Sequence, residues 1–168
     1  VMPIAELGKV AHERGAVLCV DASQSAGVLP ISMREMNIDL LAFTGHKALC
    51  GPQGTGGLVL RPGMEKRLRP VIFGGTGSRS ESEQQPDFLP DMLEAGTANA
   101  AGIAGLSAGI DFVTAKGLAA IREREMSLTA MLIDGLVSVP GVSVHGRKTP
   151  GNRIAVVSFT VEGTSPSE

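Results

Sequence analysis

The chain has 168 residues, with 15 Lys and Arg against 17 Asp and Glu, a formal net charge of -2. That balance gives no electrostatic case for nucleic acid or an anionic membrane, and an apolar fraction of 43% argues against disorder. No apolar stretch approaches the length of a membrane span, no signal peptide is visible, and Cys19 and Cys50 lack metal-ligand spacing and suit free thiols in a reducing cytoplasm.

Pro3 suits a first helical turn, Ile4, Leu7 and Ala11 follow at helical spacing, and Gly15 stops the run. "AVLCV" (Ala16 to Val20) reads as a buried strand ending at Asp21. "SMRE" (Ser32 to Glu35) is a capping box that opens a short helix. "IDLLAF" is a second buried strand, and "TGGLVLRPG" (Thr55 to Gly63) a third. Alternating helices and continuous apolar strands predict an α/β fold, a mainly parallel sheet covered by helices. The turn before the third strand is too short for a crossover helix, so that strand is expected to run antiparallel. Gly74 to Pro90 is a long polar loop, a kind usually functional or mobile. A helix follows from about Ala98, with Gly102, Gly105 and Gly109 leaving room for close packing. A longer helix starts near Leu118, with Ile121, Leu128, Leu132 and Leu136 on one face. Val142–His145 and Arg153–Val161 read as two strands of a different sheet. A domain boundary is expected between residues 115 and 140, drawn as 1–115 and 116–168. With Val1 one step from a helix and "VEGTSPSE" at the other end, the sequence reads as a piece of a longer protein. It holds no internal repeat and no low-complexity tract.

In a parallel sheet, ligands bind outside the carboxyl ends of the strands. Asp21 and Lys47 each stand just past such an end, Gln24 lies three residues beyond Asp21, and Thr44 and His46 flank the approach to Lys47. A carboxylate, an amide, a hydroxyl, an imidazole and an amine thus converge on one crevice. A lysine just past a buried strand is expected to be half-desolvated. Pyridoxal phosphate uses such a set well. It needs a lysine for a Schiff base, a carboxylate to keep its pyridine nitrogen protonated, and donors for its phosphate and ring hydroxyl. Taken singly, each residue has a plainer reading. Asp21 could be a turn or helix cap, Lys47 a solvated lysine, and Gln24 and Thr44 local hydrogen-bonders. His46 could be a structural histidine. His12 and His145 are expected at the surface. "GPQGTGG" lacks the GK[ST] of a P-loop and the spacing of a dinucleotide fingerprint.

"VDASQSAG", "FTGHKALCGPQGTGGL" and "EAGTANAAGIAGLSAGIDF" together resemble the motifs of class V aminotransferases, above all cysteine desulfurases and selenocysteine lyases. They stand in the family's order, and the resemblance runs across essentially the whole chain. It implies the aspartate aminotransferase fold class (fold type I): the second half of a large pyridoxal-phosphate-binding domain over 1–115, then the start of a small C-terminal α/β domain over 116–168. It implies that Lys47 carries the cofactor and later moves protons. Asp21 would pair with the pyridinium nitrogen, Gln24 with the ring 3-hydroxyl, and Thr44 and His46 with the phosphate. Gly96 and Thr97 would approach the phosphate of a neighbouring subunit's cofactor, so a homodimer is implied. The implied site holds no metal.

The implied reaction takes sulfur from a cysteine-like amino acid, giving alanine and an enzyme persulfide, with a sulfur-acceptor protein as a further partner. The family's upstream phosphate turn and ring-stacking imidazole fall before Val1. Its nucleophilic cysteine and carboxylate-binding arginine fall after Glu168. The 168 residues alone are therefore expected to lack desulfurase activity, and the isolated piece need not retain the cofactor. Cys50 lies far upstream of the family's cysteine and reads as a small buried residue. Two alternatives stay open: the same cofactor with transamination or selenocysteine lysis, and a non-catalytic piece that only packs as a scaffold.

Overall fold

Short apolar runs and glycine turns between Ala16 and Gly63 produce a three-stranded sheet in the order β1–β2–β3. The computed structural model describes residues 1–149 and 151–165; the last positions of the C-terminal segment lie outside the described residues. β1 (Cys19–Asp21) pairs in parallel with β2 (Leu40–Thr44), matching Cys19 with Leu40 and Asp21 with Ala42. β3 (Gly56–Leu60) returns antiparallel along β2, from Leu40 opposite Leu60 to Thr44 opposite Gly56, as the short turn requires. β1 is shorter than expected, beginning at Cys19 rather than Ala16.

Helix α1 (Ile4–Glu13) precedes the sheet, and Gly15 follows it in the left-handed region at φ 67°. The expected stripe is only partly buried, because α1 docks through Gly8 rather than Leu7, which is exposed. A Cβ at Gly8 would lie 2.8 Å from the Asn37 Cβ. The capping box does not open a helix. Ser32 Oγ accepts from Glu35 N at 3.3 Å, but only a turn forms before β2. Asn37 takes φ 54°, and so few residues cannot sustain a helix nucleus.

A single 3-10 turn (Met64–Arg67) leads into a segment without helix or strand that runs to Asn99. Its ends are tied, with Gly96 N donating to Gly75 O at 2.7 Å. Gln85 Nε2 donates to Asp91 O at 2.8 Å, Ser78 donates to Asp91, and Arg79 stacks over Phe88 at 5.4 Å. α2 (Ala100–Lys116) starts at Asn99, whose side chain accepts from Gly102 N at 3.0 Å, a standard N-cap. Two of the expected glycines serve packing: a Cβ at Gly105 would lie 2.6 Å from Pro52 Cγ, and one at Gly109 would strike the Leu49 carbonyl. Gly102 instead makes room for its own cap.

α3 (Leu118–Ser138) follows after Gly117 at 83° to α2, and packs on α2 and on β4 (Val142–His145). β4 pairs antiparallel with β5 (Ser158–Val161) in a second sheet, from Val142 opposite Val161 to His145 opposite Ser158. α3 buries Thr129 and Ile133, whereas Leu128 and Leu132 stay 46% and 49% exposed. The expected stripe is therefore rotated: β4 and α2 select a face centred on Thr129 and Ile133. The three-stranded sheet is also less covered than expected, for β2 is buried at Leu40 and only half-buried from Leu41 to Thr44. Among the described residues no single helix is long and apolar enough to cross a membrane.

Candidate functional site

The parallel pairing of β1 and β2 carries Asp21 and Thr44 to the same sheet edge. Past β1, Ala22 N continues the ladder to Ala42 O at 2.8 Å, and Ser25 N and Ala26 N fold back onto Ala22 O. Gln24 rides on that turn. Past β2, Gly45 N donates to Thr55 O and Gly51 N to Gly45 O, each at 2.8 Å, which closes the turn that presents His46 and Lys47. Gly27 seals the two turns together: its φ is 86°, and a Cβ there would lie 2.8 Å from Ala48 O. α2 backs the assembly, Leu106 Cδ1 lying 2.8 Å from where a Gly51 Cβ would stand.

Asp21 Oδ1 accepts from Ser23 N at 2.8 Å. The Ser23 hydroxyl and N–H hold the Asp21 carboxyl below its ordinary value against the opposing effect of burial, with the Lys47 charge as the least of the causes. A carboxylate that stays ionised is what a pyridine nitrogen needs beside it. Thr44 Oγ1 and His46 Nδ1 stand 2.8 Å apart, which orients the imidazole. Two clefts meet at Gln24. One of about 400 Å³ includes Asp21, Gln24 and Ile154. The other, of about 230 Å³, includes Gln24, Lys47, Glu125 and Ile154.

Five expected residues, Asp21, Gln24, Thr44, His46 and Lys47, thus gather at one edge. Lys47 is exposed rather than half-desolvated, because the turn carries it past the strand end. Of the five, Asp21, Gln24 and Lys47 line the clefts and Thr44 and His46 do not; Gly96 and Thr97 are exposed and line neither cleft. Cys50 is exposed, not buried: α2 presses on the Leu49–Cys50 backbone at Gly109 and leaves the thiol outside.

Two sets of residues escaped the sequence reading. Glu125 lies in a charged helical run that looks solvated, and nothing in its spacing marks it. His12 is not a free surface residue. Its Nε2 meets Asp39 Oδ2 at 2.9 Å, and Leu18 N donates to the same oxygen at 2.8 Å. Arg61 Nη2 stands 2.8 Å from Asp39 Oδ1, an ion pair without hydrogen-bond alignment. A lone carboxylate inside "NIDLLAF" was the available signal, since a buried charge requires partners. Among the described residues no group of His, Cys, Asp and Glu could hold a metal ion.

The class-V aminotransferase family model matches residues 1–168. A probable cysteine desulfurase of Methanothermobacter thermautotrophicus is 35% identical over 171 residues, covering 100% of this chain and 42% of its own length. One of Streptomyces coelicolor is 36% identical over 168 residues, covering 99% of this chain and 40% of its own. The chain therefore spans about two fifths of the length of these relatives. Among solved structures, the apo cysteine desulfurase of Thermococcus onnurineus superposes with a TM-score of 0.80 at 35% identity, over 98% of this chain and 41% of its own. A cysteine desulfurase of Escherichia coli gives 0.81 at 29% identity, over 98% and 40%. The fold is thus part of the fold of these enzymes, and the chain belongs to the class-V aminotransferase family.

Proposed function

We propose that this chain supplies the lysine-bearing edge of a pyridoxal-phosphate-dependent cysteine desulfurase. One observation carries the reading. An ionised carboxylate at the end of β1 and an amine just past β2 share a sheet edge, with the Gln24 amide lining a cleft with the amine and the Thr44–His46 pair on the turn that leads to it. This donor set fits the cofactor. Lys47 would hold it covalently, Asp21 would face its pyridine nitrogen, Gln24 its ring hydroxyl, and Thr44 and His46 its phosphate. When bound, pyridoxal phosphate supplies an electron-withdrawing ring for charge released at the amino acid's α-carbon. Asp21, kept ionised by Ser23, holds the proton on the ring nitrogen. Lys47 Nζ takes and returns the substrate's α-proton.

The names of the relatives support cysteine as substrate, with alanine and an enzyme persulfide as products. The same reading places 1–115 in the large domain and 116–168 in the small one. It assigns the whole protein to the cytoplasm, as a homodimer with Gly96 and Thr97 serving the partner's phosphate and with a sulfur-acceptor protein downstream. The test is borohydride reduction of the whole protein in pyridoxal phosphate, followed by peptide mass mapping. The pyridoxyl label belongs on Lys47; a label on Lys66 or Lys116 instead overturns the assignment.

A further inference from the structure

Lys47 and Gln24 follow different strands, and their spacing is set where the two turns touch. Gly27 lies on the turn that carries Gln24, at φ 86°. A Cβ on it would lie 2.8 Å from Ala48 O, 2.9 Å from Ala48 C and 3.2 Å from Leu49 Cδ2. Real Cβ atoms essentially never come within 3.0 Å of such neighbours. Val28 and Ala48, next in sequence to Gly27 and Lys47, line the cleft of about 230 Å³ together with Gln24 and Lys47. The contact therefore borders the cleft that holds the amine.

Neither turn is free to yield. The turn after β1 is anchored in the core by Ala22, fully buried, and Val28, 3% exposed. Val28 N and Leu29 N fold back onto Ser25 O at 3.1 and 2.9 Å. The Lys47 turn is held from α2, where Gly109 leaves no room for a Cβ beside the Leu49 carbonyl. Cys50 N donates to Lys47 O at 2.9 Å, and Cys50 stands at φ 58°. A residue other than glycine keeps that conformation only when its surroundings impose it. The Lys47 side chain is exposed, so the backbone, and not packing around the side chain, must place its amine.

We propose that Gly27 is a positioning residue that sets the spacing of Lys47 from the turn that carries Gln24. The proposal rests on the reading of the Lys47 edge as the reaction centre. Lys47 Nζ bonds the aldehyde carbon of pyridoxal phosphate with loss of water, while Asp21 and Gln24 hold the ring. The bond forms without strain only where both turns stand at the right separation. A side chain at position 27 wedges the Ala48 carbonyl away and moves the amine relative to the ring's partners.

The experiment compares pyridoxal phosphate with pyridoxine phosphate by calorimetric titration of the whole protein freed of cofactor. The two share the ring, its hydroxyl and the phosphate, but pyridoxine phosphate carries an alcohol in place of the aldehyde, and Lys47 cannot bond it. Gly27→Asn adds the Cβ with a small backbone penalty, since asparagine tolerates the left-handed region; Gly27→Ala adds it with a larger one. Both should weaken pyridoxal phosphate about tenfold, the scale of one overpacked contact, and leave pyridoxine phosphate within about twofold. Gly63→Ala is the control. Gly63 stands at φ 92° with nothing within 4 Å of its would-be Cβ, so this variant takes the backbone penalty alone and should bind both ligands as wild type does. An equal loss of both ligands in the Gly27 variants would mark Gly27 as merely structural, and no loss of either would remove it from the site. A Gly63→Ala protein that behaves like Gly27→Asn would trace the effect to backbone strain in general. Each of these results overturns the inference. The borohydride label separates the two levels. A wild-type protein labelled at Lys47 but indifferent to Gly27→Asn sinks only the role of Gly27. A wild-type protein that takes no label at Lys47 sinks the reaction centre and this inference with it.

Discussion

Asp21 and Lys47 owe their place to strand direction, and that is why the sequence disclosed them: two apolar runs in parallel must end on the same edge. Their environment was less legible, since exposure depends on what packs over the turn, and Lys47 proved exposed. Asp21→Asn tests the site at this scale. The amide cannot hold a proton on the ring nitrogen as the ionised carboxylate does, so the variant should keep some cofactor and lose about tenfold to a hundredfold in cysteine turnover. Turnover near wild type would remove that role. Asp39 makes a separate prediction about stability. Burial pushes its carboxyl up, but the Leu18 N–H, His12 and Arg61 outweigh burial and hold it below its ordinary value. A carboxyl whose folded pKa is depressed contributes stability above its unfolded pKa and loses it as pH falls through the folded value. Unfolding midpoints in urea should therefore drop as pH falls below the ordinary carboxylate range. Asp39→Asn should flatten that acid limb and lower stability at neutral pH by about 1–3 kcal/mol. An unchanged pH profile in the variant would show that the cluster contributes nothing.

Among the elements, order and direction were legible and faces were not. The sequence order predicted β2 and β3 as an antiparallel pair and β4 and β5 as a second sheet, and both are present. The α3 stripe was misplaced because that helix is apolar on more than one side, and periodicity alone does not say which side β4 and α2 will cover. Glycines carry the more reliable message, since a missing side chain often marks a close approach. Two helical glycines make the point by contrast. Ala for Gly ordinarily stabilises a helix interior by about 1 kcal/mol, and Gly135 of α3, with nothing within 4 Å of its would-be Cβ, should follow that rule. At Gly109 the new Cβ would strike the Leu49 carbonyl and lie 2.9 Å from the Cys50 carbonyl carbon. The backbone there cannot step aside as a flexible side chain can. Gly109→Ala should therefore destabilise by about 1–3 kcal/mol, measured as a shift in the urea midpoint. Equal stabilisation by both substitutions would mean that α2 does not sit as tightly on the 49–52 turn as described.

At the scale of the molecule, the open question is where Thr97 acts. Asn99 caps α2 through Gly102 N, so the plainer reading, a local cap, belongs to Asn99 and leaves Thr97 without that duty. Thr97 is exposed and lines neither cleft at the Lys47 edge of its own chain. It stands beside a helix start whose free N–H groups attract phosphate. The motif resemblance, and not the clefts, implies service to a neighbouring subunit, since Thr44 and His46 line neither cleft either. A mixed dimer decides it, pairing a Lys47→Ala subunit with a Thr97→Ala subunit. Acting in trans, the intact Thr97 of the first subunit reaches the one lysine that remains, in the second. The cofactor affinity of that site should then match wild type. Acting in cis, the remaining lysine sits in the same subunit as the altered Thr97, and its affinity should fall by about fivefold to tenfold, the scale of one lost hydrogen bond. A weakened site in the mixed dimer would therefore place Thr97 in cis and remove the argument for a shared active site.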